Sequence, residues 1–198
     1  MYLLTEQIKF PPVEHADEDG FLAFGGDLSV DRLLEAYRNG IFPWYNDGEP
    51  ICWWSPDPRC VLCPGDLHVS KSMHRVINSN QFSFTFNNAF ESVMRNCKTV
   101  TRKGEQGTWI QEEMIEAYCS LNKMGFACSG ETWKDGKLVG GMYGVKLGKI
   151  FFGESMFSTV SNASKFAFIK FVQHLQEADV KLIDCQMRTD HLVSMGAT

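Results

Sequence analysis

The chain has 198 residues, 44% hydrophobic and 22% charged, with a formal net charge of −5. This is ordinary globular composition, with room for one large domain or a medium domain plus a small one. The acidic balance excludes a protein that grips a long duplex through many phosphates, but leaves open a contact with one end of a nucleic acid.

Residues 1–62 read as a small, irregular domain. Ser29 is placed to cap a helix over 30–39, with Leu33, Leu34 and Tyr37 as its apolar stripe and Gly40 as its stop. Next come Gly40-Ile41-Phe42-Pro43-Trp44 and Trp53-Trp54-Ser55-Pro56-Asp57-Pro58-Arg59, which hold three of the five tryptophans. This window shows neither helical nor strand period. It reads as a rigid aromatic surface able to stack a flat group, or as a buried hinge between domains. On these residues alone the hinge is the more economical reading.

The pattern changes near residue 63, and 63–198 read as a second domain. A short helix is expected over 70–77. Phe82, Phe84 and Phe86 alternate with Ser83 and Thr85, which is strand period. Helices are expected over 89–97 and 111–124, separated by a charged loop at 101–105 and by Gly107-Thr108-Trp109-Ile110. A meander follows, with strands over 126–133, 137–145 and 149–157. Ser161 or Asn162 is placed to cap an apolar helix running to about 178, and a last strand spans 181–186. The fold class is therefore α+β, with a mixed, mainly antiparallel sheet in the second domain. The order strand, strand, strand, helix, strand resembles the second half of the GNAT-like acyltransferase fold. In that fold two neighbouring parallel strands part to admit an acyl donor, and strands 149–157 and 181–186 are the candidates.

Those strands carry acids in apolar surroundings. Glu154 lies within Phe151-Phe152-Gly153-Glu154-Ser155-Met156-Phe157, and Asp184 within Leu182-Ile183-Asp184-Cys185. A carboxylate in such a run is costly unless paired or used. The two suit general-base work or the holding of a cation, and equally suit a structural role in accepting backbone hydrogen bonds. Gln186 lies on the same strand face as Asp184. It is no strong base, but can orient a nucleophile or stabilise an oxyanion through its NH₂ group.

Other motifs carry less. The seven cysteines are expected to be reduced core thiols, and the lone Cys60-x-x-Cys63 lacks the second pair that a zinc site needs. Cys185 with His174 or His191 has no cysteine-hydrolase context. Gly140-Gly141-Met142-Tyr143-Gly144 lies in a strand and is no phosphate loop. The pyrophosphate loop of a typical acyl-CoA enzyme is missing. Lys71 and Arg75, one helical turn apart, form a basic pair that most simply reads as a solvated face. No apolar run is long enough to span a bilayer, and Met1-Tyr2-Leu3-Leu4-Thr5-Glu6 does not resemble a signal peptide, so a cytoplasmic protein without membrane contact is expected.

Taken in order, several blocks resemble leucyl/phenylalanyl-tRNA–protein transferases. They are Gly25-Gly26-Asp27-Leu28-Ser29, Ala36-Tyr37 with 40–44, 53–59, Gly107-Thr108-Trp109-Ile110, 139–145, 153–158, Asn162-Ala163-Ser164-Lys165, 182–186 and Ser194-Met195-Gly196-Ala197. The resemblance covers nearly the whole chain. It implies transfer of Leu or Phe, and less readily Met, from aminoacyl-tRNA to the N-terminal amine of proteins beginning with Arg or Lys. The product is a substrate of the bacterial N-degron pathway. It also implies a monomer with a GNAT-like second domain, and no cofactor or metal.

The resemblance assigns residues too. Trp44 and Trp109 contact the 3′-terminal adenosine. Met142, Phe151, Met156, Phe171 and Ile183 form the pocket for the amino-acid side chain. Glu154 and Asp184 bind the cationic acceptor, Asp184 polarises Gln186, and Lys71 and Arg75 meet the tRNA backbone. Thr189 stands where the family commonly has Asn, so a supporting hydrogen bond is expected to differ; His74, Asn78 and Ser79 thin the basic cluster, so weaker tRNA binding, or the use of other basic residues, is expected. The family runs on beyond Ser-Met-Gly-Ala, so a C-terminal segment is expected to be missing. The remaining readings are an acyl-CoA-dependent N-acyltransferase and a non-catalytic adaptor for basic N-termini.

Overall fold

The computed structural model describes residues 2–100 and 109–198. The charged loop expected at 101–105 and the Gly107-Thr108 step lie outside the described residues.

The N-terminal part builds a four-stranded sheet. Its strands are β1 (Tyr2–Leu4) and β2 (Phe21–Gly25), then, after helix α1 (Val30–Arg38), β3 (Phe42–Pro43) and β4 (Cys52–Trp54). The order is β1-β2-β4-β3, with β1 parallel to β2 and the other pairs antiparallel. The Ser29 side chain accepts the Arg32 amide as the α1 cap, and Leu33, Leu34 and Tyr37 are buried. Gly40 has φ +71°, a left-handed conformation that glycine adopts without a Cβ clash. Arg32 is fully buried; its Nη2 donates to Thr5 O at 2.7 Å and its Nη1 to Gln7 O at 3.2 Å, which ties the N-terminal segment to α1. The tryptophan window thus contains a small sheet. Its strands of two and three residues are too short to display a period of two. Trp53 is buried and its indole donates to Gly25 O at 2.9 Å, while Trp44 stays 38% exposed.

The rest builds a six-stranded mixed sheet. In chain order its elements are β5 (Cys60–Leu62), α2 (Lys71–Asn78), β6 (Ser83–Phe86), α3 (Phe90–Thr99), α4 (Glu112–Lys123), β7 (Ala127–Lys134), β8 (Lys137–Leu147), β9 (Ile150–Ser158), α5 (Ala163–Glu177), β10 (Leu182–Gln186) and α6 (Asp190–Val193). The strand order is β5-β10-β9-β8-β7-β6. Only β9 and β10 run parallel; their neighbours are antiparallel, in the GNAT-like arrangement. The boundary expected after residue 62 falls at the end of β5, which pairs with β10 in this larger sheet.

Two cores lie against the larger sheet. One joins the small sheet and α1 to α3, α4 and residues such as Tyr143, Val145 and Phe152. The other packs α5 and Met73 of α2 against Met142, Phe151 and Ile183. Alternation along β8, Met142 to one core and Tyr143 to the other, follows the period of two. One expectation fails at α5. Asn162 sits at its N-cap with φ +69° and its side chain makes no cap hydrogen bond. Ser158 Oγ, at the end of β9, accepts the Ser164 amide instead, at 3.3 Å, across the turn at 159–162.

Candidate active site

Strands β9 and β10 are paired only from Leu182↔Ile150 to Asp184↔Phe152. Beyond that point two irregularities bracket the gap. In β9, Tyr143 faces Ser155 and Gly144 faces Gly153, so Glu154 is the extra residue of a β-bulge. In β10, Asp184 faces Val61 and Gln186 faces Cys60, so Cys185 is the extra residue. A bulge bends its strand and re-aims the side chains around it. Gly144 permits the first one, since a Cβ there would lie 2.0 Å from Phe152 O.

The gap opens into a cavity of about 560 Å³, large enough for an aminoacyl group with part of a nucleoside. Its wall includes Trp44, Trp109, Met142, Met156 and Ile183, together with Glu154 and Gln186. Phe151 and Phe171, expected on that wall, are not part of it. Both are fully buried and pack edge to face, with ring centroids 4.9 Å apart. The Phe151 ring lies instead over Gly144 of β8. Phe171 is held close to Gly130 of β7. Phe168, one turn earlier on α5, takes its place, and Cys185 and Leu192 complete the apolar wall. Lys71 and Arg75 are exposed on α2 and take no part in the cavity wall.

Glu154 is the centre of the polar group. Its Oε1 accepts Tyr37 OH at 2.7 Å and Gln186 Nε2 at 2.8 Å. Tyr118 OH lies 3.4 Å from Oε2 and is also hydrogen-bonded to Tyr37 OH. Burial raises the Glu154 pKa to about 7, the nearby Asp184 charge adds to the rise, and the two tyrosine hydroxyls and the more distant Arg59 oppose it. Both tyrosines are themselves held protonated, by burial first and by the Glu154 charge second. They are firm donors.

Asp184 is engaged differently. Arg59 Nε reaches its Oδ1 at 2.8 Å and Oδ2 at 3.0 Å, and the Gln186 amide donates to Oδ1 at 2.8 Å. Asp184 therefore holds the backbone of Gln186, and the Gln186 side chain goes to Glu154. Gln186 has φ +61°, a left-handed backbone that a non-glycine residue adopts at a cost of about 1–3 kcal/mol.

Cys185 is no thiolate nucleophile: burial, helped by the neighbouring Cys60, pushes its pKa up to about 12. His174 stacks on Phe86 instead, with centroids 4.1 Å apart. His191 is on the cavity wall and its pKa is lowered, by burial and then by Lys165. Thr189 caps α6 through its Oγ1, which accepts the Leu192 amide at 3.3 Å. Among the described residues no three His, Cys, Asp or Glu side chains group so as to hold a metal ion, and no helix is long and apolar enough to cross a membrane.

Sequence comparison gives the family. The family model for leucyl/phenylalanyl-tRNA protein transferase matches residues 61–198, and that for the same enzyme's N-terminal domain matches 26–57. A leucyl/phenylalanyl-tRNA–protein transferase of Flavobacterium johnsoniae is 55% identical over 196 residues, covering 99% of this chain and 92% of that protein. One from Christiangramia forsetii is 56% identical, covering 100% of this chain and 94% of that protein. Likeness to solved structures is looser. An L-PGS structure from Bacillus licheniformis has a TM-score of 0.48 at 12% identity, covering 78% of this chain and 51% of that one. A GCN5-related N-acetyltransferase from Kribbella flavida has a TM-score of 0.41 at 11% identity, covering 83% and 58%. The protein is an aminoacyltransferase. The chain belongs to the leucyl/phenylalanyl-tRNA–protein transferase family.

Proposed function

We propose that the protein transfers Leu or Phe, and less readily Met, from aminoacyl-tRNA to the N-terminal amine of proteins that begin with Arg or Lys. The transfer marks those proteins for N-degron degradation in the cytoplasm. The observation that carries the reading is the Glu154–Gln186 pair set in the wall of a mainly apolar cavity.

Trp44 and Trp109 receive the terminal adenosine, whose flat base suits an aromatic wall. Met142, Met156 and Ile183, with Phe168 and Leu192, receive the amino-acid side chain. A flexible Met-lined wall accepts an unbranched or γ-branched chain, and a β-branched one fits it worse. The acceptor arrives as an ammonium ion and must lose a proton before it attacks the ester carbonyl. Glu154, with a pKa near 7, is matched to that transfer at neutral pH. The Nε2 of Gln186 is committed to Glu154, which leaves its Oε1 to accept a hydrogen bond from the amine. The amine nitrogen bonds to the carbonyl carbon, the bond to the ribose oxygen breaks, and that oxygen leaves with a proton. The ester is already activated, so much of the rate comes from placing amine and ester together. Asp184 is compensated by Arg59 and contributes through Gln186 and through its field on the acceptor. Lys71 and Arg75 contribute at most to the longer-range approach of tRNA.

The test is transfer of radiolabelled Leu from leucyl-tRNA to an Arg-starting peptide, with valyl-tRNA and an Ala-starting peptide as controls. Transfer confined to the leucyl-tRNA and Arg-peptide pair is expected. Peptide binding without transfer overturns the reading in favour of an adaptor.

A further inference from the structure

Arg59 stands immediately before β5, the strand that flanks β10 on the side away from β9. Its guanidinium is largely buried, with 19% of the side chain exposed, against 7% for Asp184. On one side Nε spans both Asp184 oxygens, at 2.8 and 3.0 Å. On the other, its Cζ lies 4.9 Å from the centre of the Phe42 ring, and Phe42 is both part of β3 and part of the cavity wall. The guanidinium is thus wedged between the small sheet and the catalytic strand. A flexible ammonium in its place keeps the charge but loses the planar fit to both partners.

The Asp184 oxygen nearest Arg59 Nε is also the one that accepts the Gln186 amide, at 2.8 Å. That amide belongs to the residue in the left-handed conformation, just after the bulged Cys185. An unfavourable backbone conformation persists only where the surroundings over-determine it. A buried carboxylate beside a second carboxylate needs a positive partner, and Arg59 supplies it. The chain of contacts runs from Arg59 to Asp184, to the Gln186 backbone, and through the Gln186 side chain to Glu154.

We propose that Arg59 is a positioning residue for transfer: through Asp184 it holds the Gln186 backbone in its left-handed conformation and so aims the Gln186 side chain at Glu154. The inference rests on the functional reading of Gln186 given above. Arg59 itself touches no substrate.

The experiment uses Arg59→Lys and Arg59→Gln in the full chain, both checked for cooperative melting. Hydrogen exchange is read at the Gln186 amide, and steady-state kinetics with leucyl-tRNA and an Arg-starting peptide are measured in parallel. Exchange at the Gln186 amide should quicken by at least about tenfold, with β8 amides unchanged. The turnover number should fall about 10- to 100-fold while KM for leucyl-tRNA holds within about twofold. If one variant does not fold, the other decides. Unchanged exchange at Gln186, or unchanged turnover despite faster exchange, overturns the proposal. Gln186→Ala is run beside them. A wild-type rate in that variant sinks the reading of Gln186 itself, whereas a slow Gln186→Ala with an unaffected Arg59→Lys sinks only the role of Arg59.

Discussion

Removing one hydroxyl, by Tyr37→Phe, tests whether Glu154 works through its charge. The ring stays, and so does its packing on Phe152, with centroids 5.2 Å apart. What disappears is the 2.7 Å donor to Oε1. A hydrogen bond to a charged group is worth about 1.5–3 kcal/mol, and one pKa unit is about 1.36 kcal/mol, so the loss corresponds to about 1–2 units. Tyr118 remains 3.4 Å from Oε2 and is free to close in, which puts the net rise near about one unit. The sign is fixed: the tyrosine favours the carboxylate, so without it Glu154 holds its proton to higher pH. If the ionised form takes the amine's proton, kcat/KM rises with pH through about 7 in the wild type and through about 8 in the variant. At pH 7 the ionised fraction drops from about a half to about a tenth, so transfer falls about fivefold and recovers by about pH 9. The assay is the initial rate of Leu transfer to an Arg-starting peptide from pH 5.5 to 9, corrected at each pH for spontaneous hydrolysis of leucyl-tRNA. An unmoved midpoint, or an equal loss at every pH, refutes the reasoning and leaves Tyr37 as packing.

Three further outcomes follow from the same geometry. Glu154 has a folded pKa of about 7 against an ordinary 4.5, so between those values the folded state binds more protons and stability falls as pH rises. Glu154→Gln abolishes that fall. With allowance for the partial exposure of Glu154 on the cavity wall, the variant should gain about 2 kcal/mol at pH 8 and nothing at pH 4, while losing transfer; melting curves of equal pH dependence would contradict this. Trp109→Ala should raise KM for leucyl-tRNA about tenfold or more, on a stacking energy of about 1–3 kcal/mol, and an unchanged KM removes Trp109 from the donor site. Gly144→Ala forces a Cβ to within 2.0 Å of Phe152 O and should destabilise the fold by about 3 kcal/mol or more; a melting temperature within about 2 °C of wild type would show that the bulge yields.

Long, strongly periodic elements were legible in the chain. The stripe of α1, the alternation in 82–86 and the apolar run of α5 each correspond to an observed element. The short strands β3 and β4 were not, since two or three residues hold no period. The acids Glu154 and Asp184 stood out because charge in an apolar strand is costly. Their partners did not. Tyr37 and Tyr118 occupy apolar-stripe positions where a tyrosine is ordinary core, and they meet Glu154 across 117 and 36 residues of sequence. Arg59 was visible only as the end of the Trp-Trp-Ser-Pro-Asp-Pro-Arg block. Its service to Asp184 depends on β5 lying beside β10. Phe151 and Phe171 show the opposite error. They are chemically as fit for a pocket wall as Phe168, and only packing decides: Phe151 lies over Gly144 and Phe171 over Gly130, while Phe168 meets the cavity.

The arrangement around Glu154 also ties the N-terminal part to the site, through Tyr37 of α1. Tyr37 comes from α1, Tyr118 from α4, Gln186 from β10, and among the described residues no cation touches the carboxylate directly. Three neutral donors can hold a carboxylate without saturating it electrostatically. An arginine in their place would pull the pKa far below neutrality and leave a poor base. Asp184, by contrast, is held by Arg59 Nε at 2.8 and 3.0 Å. The two acids, one on each parting strand, are thus driven to different tasks by their surroundings. The acid bound to an arginine fixes backbone, and the acid held by neutral donors keeps a proton affinity suited to an amine at neutral pH.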